Sequence, residues 1–264
     1  MKEKSKLIKN LIEKRRARKK EGLFVVEGPH LVQEAAANIK FVLYAENLPL
    51  VKELESKNIQ CFKVSKKEFA ELSEVETPQW ILAVVKMRGY ELNDLLGRTA
   101  IKAVPTCRDR VYPCPLIVFC HEVQDPGNLG TIIRTADAAG ASGVILSKGT
   151  VDLYNSKTIR ATMGSLFHLP IIEVDDVLET LAQLKKKRIK TVATSLSAAK
   201  NYFEIDYKGG VVIMVGNEGA GLPEDVVKLC DEAVKIPILG KAESLNVAIS
   251  IAVMLYEIVR QKFS

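Results

Sequence analysis

The chain has 264 residues, 47% of them hydrophobic, which is ample for a sizeable core and fits one large or two modest domains. It carries a formal net charge of +6, and no run of about 18 apolar residues is present to span a bilayer, which excludes a membrane-spanning class. The lysine-rich start lacks the apolar stretch of a secretory signal, so the cytoplasm is the expected compartment.

Residues 1–20 hold ten Lys or Arg against two Glu, so the excess positive charge lies in this arm. Such asymmetry points to a polyanion, RNA or DNA, whose counterions a basic arm displaces on binding. The competing reading is a solvated, frayed terminal helix that aids solubility. After the arm, residues 22–28 (GLFVVEG) predict a strand, 30–38 a helix, 41–47 a strand and 50–58 a helix. A short strand at 60–65, a helix at 66–74 and a strand at 80–87 complete a unit of about 90 residues. Trp80 opens an apolar strand and is expected in a core or interface rather than as an exposed base-stacking platform. Between Gly89 and Pro115 the pattern weakens around Pro105 and Pro113, which marks a boundary.

From Leu116 a second α/β series begins. Strands are predicted at LIVFC (116–120), GVILS (143–147), LPIIEV (169–174), TVATS, VVIMVG and VKIPI. Helices are expected after Asn128, near 155–164, through the basic run KKKR at 185–188, from about Pro223, and at the C-terminus. Alternation of this kind implies a parallel sheet covered on both faces. The KKKR run reads as a solvated helix end favoured by the dipole, with phosphate contact as the lesser alternative. The five cysteines include no CxxC pair and the three histidines lie at no zinc spacing, so reduced thiols and no structural metal are expected. Cys120 beside His121 reads as ordinary packing, since adjacent strand residues face opposite ways.

Three strand-to-loop junctions carry the chemistry. In DPGNLGTIIRTADAAG (125–140), turn formers end the first strand and a helix is predicted over Leu129–Ala139, with Asn128 at its entrance and Arg134 in its second turn. Taken alone, Asn128 reads as a helix cap and Arg134 as a surface charge. In VVIMVGNEGAGLP (211–223), Gly216, Gly219 and Gly221 let backbone approach a ligand or take positive φ; the spacing is neither a dinucleotide fingerprint nor a P-loop. Glu218 taken alone is an acid at a helix start. In IPILGKAESLNVAIS (236–250), a loop through Gly240 leads to Ser244, Leu245 and Asn246, with Ser244 open to reading as an N-cap. The following helix is apolar on nearly every side from Val247 to Leu255, which predicts burial and a subunit interface.

Together the three motifs resemble those of the SpoU branch of the SPOUT superfamily, RNA ribose 2′-O-methyltransferases that use S-adenosylmethionine. The resemblance spans Leu116 to the C-terminus, and FVVEGPHLVQEA with TPQWILAVV extends it to the family's small RNA-binding domain, akin to a ribosomal protein. Many relatives have glycine where Trp80 stands, a departure that predicts a different local backbone. The resemblance implies an α/β fold whose parallel sheet carries a deep trefoil knot, an exception to the usual connection rules. It divides the chain into a basic arm (1–20), a substrate-binding domain (21–90), a linker (91–115) and a methyltransferase domain (116–264). It implies a homodimer with no metal, acting on RNA: ribosomal RNA of the 23S type first, transfer RNA as the alternative. A non-catalytic RNA-binding or ribosome-assembly protein is the rival from another class; it leaves the second and third motifs unexplained. By the same resemblance Asn128, Arg134, Glu218, Ser244 and Asn246 surround the acceptor ribose, with Arg134 central. Thr194, Ser195, Leu196, Val215, Gly216, Asn217, Gly219, Ile236, Ile238 and Leu245 would hold the methyl donor. The sequence FCHE at 119–122 receives no role.

Overall fold

The computed structural model describes residues 1–96 and 114–263, and their packing divides the chain into two units. The part of the expected linker from 97 to 113 lies outside the described residues. The first unit is Met1–Gly89 with Asp152–Phe167; the second is Tyr90–Val151 with His168–Ser264.

The first unit opens with helices α1 (Lys2–Glu13) and α2 (Arg15–Glu21). There follow β1 (Leu23–Glu27), α3 (Pro29–Glu34), β2 (Ile39–Tyr44), α4 (Pro49–Ser56), β3 (Cys61–Lys63), α5 (Lys66–Ala70) and β4 (Ile81–Lys86). The sheet order is β1-β4-β2-β3, with β4 antiparallel to β1 and β2, and β2 parallel to β3. The basic arm is not a frayed helix. Ile8 and Leu11, three residues apart on one face of α1, are buried in a core with Leu23, Phe41, Leu43 and Phe69. Lys2, Lys6 and Lys9 lie on the exposed face.

Trp80 packs against this core, its ring 5.7 Å from that of Phe69 and capped by the Lys66 ammonium 4.8 Å from its centre. Its backbone is left-handed at φ +58, the region glycine takes most readily. Replacing Trp80 by glycine therefore sets relief of that conformation against loss of the ring contacts. The contacts, a half-buried aromatic and a cation–π pair, are expected to win, and Trp80→Gly should lower the thermal midpoint.

The second unit begins with a short helix that the sequence reading did not resolve, α6 (Leu92–Leu96). It continues with β5 (Leu116–Cys120), α7 (Pro126–Ala138) and β6 (Gly143–Ser147). The next helix, α8 (Ser156–Thr162), belongs to the first unit. There Tyr154 and Phe167 pack on Phe24 of β1, with centroids 4.6 and 6.2 Å away. The chain returns to form β7 (Ile171–Val174), α9 (Val177–Lys186), β8 (Lys190–Thr194), β9 (Lys200–Asn201), β10 (Val211–Val215), α10 (Glu224–Leu229), β11 (Glu232–Lys235) and α11 (Val247–Phe263). All neighbours in the order β7-β6-β5-β10-β8-β11-β9 are parallel. Every residue of β5, β6 and β10 is buried, which is why these strands read as unbroken apolar runs. Ile236 to Ile238, expected to be strand, lie beyond the end of β11.

Among the described residues no helix is long and apolar enough to cross a membrane, and no group of three or more His, Cys, Asp or Glu is placed to hold a metal ion.

Candidate active site

The C-terminal ends of β10, β8 and β11 feed loops that enclose a cavity of about 480 Å³. Ligands of parallel sheets bind at this edge. Residues 194–197 from the end of β8, 215–222 from the end of β10, and 234–236 with Ile238 from the end of β11 form its walls, and 244–247 with Ser250 close it. All ten positions assigned to the methyl donor line it, from Thr194, Ser195 and Leu196 through Val215, Gly216, Asn217 and Gly219 to Ile236, Ile238 and Leu245. Ser197, Gly221, Leu222 and Lys235 line it too and were not assigned from the sequence.

The glycines of the second motif divide their work. A Cβ on Gly216 would come 2.1 Å from both the carbon and the oxygen of the Gly221 carbonyl, so the loop folds back on itself only because the side chain is absent. Gly221 has φ +70. Gly216 thus serves the loop's own close approach, not simply that of a ligand. Asn217 holds the turn. Its N–H donates to the Gly221 carbonyl (3.1 Å), and its Oδ1 accepts from the N–H groups of Gly219 and Ala220 (2.9 and 3.1 Å). With its side chain so committed, Asn217 shapes the cavity wall. We expect Gly216→Ala to weaken S-adenosylmethionine binding at least roughly tenfold by opening this turn, as isothermal titration calorimetry would register.

The first motif departs from the sequence reading. Helix α7 begins at Pro126, with Asp125 as its cap: Asp125 Oδ1 accepts from the Asn128 N–H at 2.8 Å. Arg134 accordingly falls in the third turn, not the second. Asn128, released from capping, joins all three motifs. Its Nδ2 donates to Glu218 Oε1 (3.0 Å) and its Oδ1 accepts from Asn246 Nδ2 (2.9 Å). Asn246, and not Ser244, caps α11, its Oδ1 accepting from the N–H groups of Ala248 and Ile249. Ser244 lines the cavity instead.

Glu218 is not simply an acid at a helix start. Its carboxylate also accepts from the backbone N–H groups of Gln124 and Asp125, each at 3.0 Å. Burial opposes the charged form, but these bonds outweigh it and hold the carboxyl below its ordinary value of 4.5. A folded-state pKa below the unfolded one adds stability above the unfolded value, and this is lost as pH falls through the folded value. The stability gap between wild type and Glu218→Gln should therefore hold steady from about pH 8 to 5 and shrink below about pH 4 in thermal melts.

Arg134 is exposed, has no hydrogen-bond or ion-pair partner among the described residues, and does not line the cavity of its own chain. The structure thus brings Asn128, Glu218 and Asn246 into one network, adds Ser244 at the cavity, and leaves Arg134 apart. Cys120 is fully buried and burial pushes its thiol well up, which removes it as a nucleophile. At the opposite edge of the sheet Lys185 pairs with Asp231 at 3.4 Å, as suits a helix end.

Helix α11 is not buried all round. Ala248, Ile251, Met254, Leu255 and Ile258 face inward, toward α7 and β10, while Ile249 (52% exposed) and Tyr256 (53% exposed) stand on the outer face.

Comparison with known proteins identifies the family. Residues 115–256 match the SpoU rRNA Methylase family and residues 2–83 match the MRM3-like substrate binding domain. Among curated relatives, the 23S rRNA (guanosine(2553)-2'-O)-methyltransferase RlmP of Bacillus subtilis is 36% identical over 247 residues, covering 92% of this chain and 91% of that one. The crystal structure of the SpoU methyltransferase AviRb from Streptomyces viridochromogenes in complex with AdoMet superposes with a TM-score of 0.85 at 30% identity, covering 99% of this chain and 98% of that one. An AdoMet-bound rRNA methyltransferase from Sinorhizobium meliloti gives a TM-score of 0.84 at 33% identity, with 98% and 95% covered. The chain belongs to the SpoU rRNA methylase family.

Proposed function

We propose that this protein methylates a ribose 2′-hydroxyl of 23S-type ribosomal RNA, with S-adenosylmethionine as donor. The observation that carries the reading is the Glu218–Asn128–Asn246 network, which fastens the three motifs together beside one cavity. That cavity fits the donor. Its volume lies in the range of about 300–1,000 Å³ typical of small-molecule sites. Its walls pair apolar side chains (Val215, Leu222, Ile236, Ile238, Leu245) with hydroxyls (Thr194, Ser195, Ser197) and loop backbone. When bound, S-adenosylmethionine supplies an electrophilic methyl group on a sulfonium.

The protein's own task is to bring the ribose oxygen in line with that methyl and to stabilise the charge that develops on the oxygen. Moving the methyl from sulfur to the ribose oxygen breaks the S–C bond as the C–O bond forms, and the hydroxyl must give up its proton, to another group or to water. Arg134 binds the adjoining phosphate and stabilises the developing alkoxide. Glu218 positions Asn128, while Ser244 and Asn246 border the acceptor. Because Arg134 has no partner among the described residues and does not line its own chain's cavity, it serves the cavity of a second copy. The exposed Ile249 and Tyr256 of α11 give that homodimer its contact face, and the segment 236–246 is the part threaded to form the knot. The N-terminal unit grips RNA through the exposed lysines of α1 and α2.

The test is to map 2′-O-methyl groups in RNA from cells with and without the protein. Loss of one 23S ribosomal site in the deletion is expected. Loss confined to transfer RNA would move the substrate assignment, and loss of none would overturn the reading.

A further inference from the structure

Glu122, in the stretch between the first strand and the first motif that received no role, stands in an unusual conformation. Its φ is +52, a left-handed backbone that disfavours a side chain with a Cβ. Three bonds fix it there. Its N–H donates to Ser147 Oγ (3.0 Å), and its carbonyl accepts from Gln124 Nε2 (2.9 Å) and Asn217 Nδ2 (3.1 Å). Gln124 Nε2 also donates to the Gly149 carbonyl at 2.7 Å, stapling the loop after β5 to the loop after β6.

The side chain is fixed as well. A Cβ on Gly149 would lie 3.1 Å from Glu122 Cγ and 3.2 Å from Oε1, so the carboxyl group rests against bare backbone. Glu122 is exposed, and among the described residues its carboxylate has neither a hydrogen-bond nor an ion-pair partner. Asn217, which grips its carbonyl, lines the cofactor cavity, so Glu122 stands one hydrogen bond from that wall without lining the cavity itself, its carboxyl on the side of the loop after β6.

Glycine would take this backbone without strain, and a free anion at the rim of an RNA site repels phosphate. What offsets both is a donor for the carboxylate to accept from. RNA phosphates only accept, whereas base edges present fixed N–H donors, and the Watson–Crick edge of guanine offers two side by side. We propose that Glu122 is a specificity residue whose preorganised carboxylate accepts the N–H edge of a guanine in the substrate RNA. The proposal rests on the RNA methyltransferase reading above.

The test compares wild type, E122G and E122Q on a 23S ribosomal RNA transcript, and on the same transcript with inosine, which lacks the N2 amino group, at the guanines around the mapped acceptor. For wild type, KM should rise about tenfold with inosine. E122G should show a KM raised about ten- to hundredfold on the guanosine transcript, indifference to inosine, unchanged S-adenosylmethionine affinity, and a thermal midpoint about 2–4 °C higher as strain is released. E122Q, which keeps one acceptor oxygen, should fall between. An E122G enzyme with wild-type KM, or one that still distinguishes inosine, would overturn the proposal, as would a lowered midpoint. Absence of transfer by wild type itself would instead strike the methyltransferase reading.

Discussion

Arg18→Ala is expected to destabilise the N-terminal unit by about 3–5 kcal/mol, the usual cost of orphaning a buried charge. Arg18 is 5% exposed in spite of its place in the basic arm. Its Nε and Nη2 both donate to Asp152 Oδ2, the former at 3.0 Å, and its Nη1 donates to the carbonyls of Leu11 and Ile12 at the end of α1. The guanidinium thus ties α1 and α2 to the segment 152–167 that returns from the second half of the sequence. Removing it leaves the Asp152 carboxylate, 9% exposed, with the Tyr154 N–H at 3.1 Å and the more distant Arg15 at 4.0 Å, and takes a donor from two carbonyls. Arg18→Lys cannot reproduce the forked geometry and should recover little. Replacing both partners by apolar residues of similar size should cost far less than either single change, because no buried charge then remains. The only tryptophan, Trp80, lies in this unit, so its fluorescence in urea unfolding reports the unit's own transition. An unchanged midpoint for Arg18→Ala would show that the pair is idle.

Arg134→Ala is expected to lower turnover on RNA by about 10²–10³-fold, the range for losing one stabiliser of a developing oxyanion. Donor affinity should not change, because Arg134 is assigned to the phosphate and oxygen of the acceptor and not to the donor. The effect therefore belongs in kcat, with calorimetry on S-adenosylmethionine as the control. A mixing experiment adds a sharper readout. If Arg134 serves the neighbouring copy, a mixture of Arg134→Ala with Gly216→Ala forms heterodimers that hold one intact composite site, and activity should return to roughly a quarter of wild type. No recovery would place Arg134 on its own chain's substrate, and near-normal turnover by Arg134→Ala alone would end the assignment.

The sequence showed most clearly what is decided locally. Strands buried on both faces read as continuous Val, Ile and Leu runs, and LIVFC and GVILS mark β5 and β6 to the residue. The loops of the site were legible because glycine, asparagine and proline interrupt those runs at strand ends. Capping was misplaced for a local reason as well. Asp-Pro is a start signal, with the acid as cap and proline as first helical residue, yet the amide two positions on drew the assignment. That error hid the freedom of Asn128 to join Glu218 and Asn246, links across 90 and 118 residues that no local pattern announces.

Other features depended on packing partners far away in the chain. The helical segment near 155–164 reads like any crossover helix, but Tyr154 and Phe167 pack against Phe24, so it belongs to the first unit. Arg18 is indistinguishable in sequence from the exposed bases around it; only Asp152, 134 residues away, sets it apart. For α11, composition predicted burial together with a surplus face for a second subunit; within one chain the helix hides one apolar face and exposes the other.

The most direct test of the central claim is calorimetric titration of the full chain with S-adenosylmethionine. One molecule bound per chain, with affinity reduced in Gly216→Ala and retained in Arg134→Ala, is the predicted result. Absence of binding heat across accessible temperatures, or affinity indifferent to Gly216, would contradict a cavity formed by the three joined motifs.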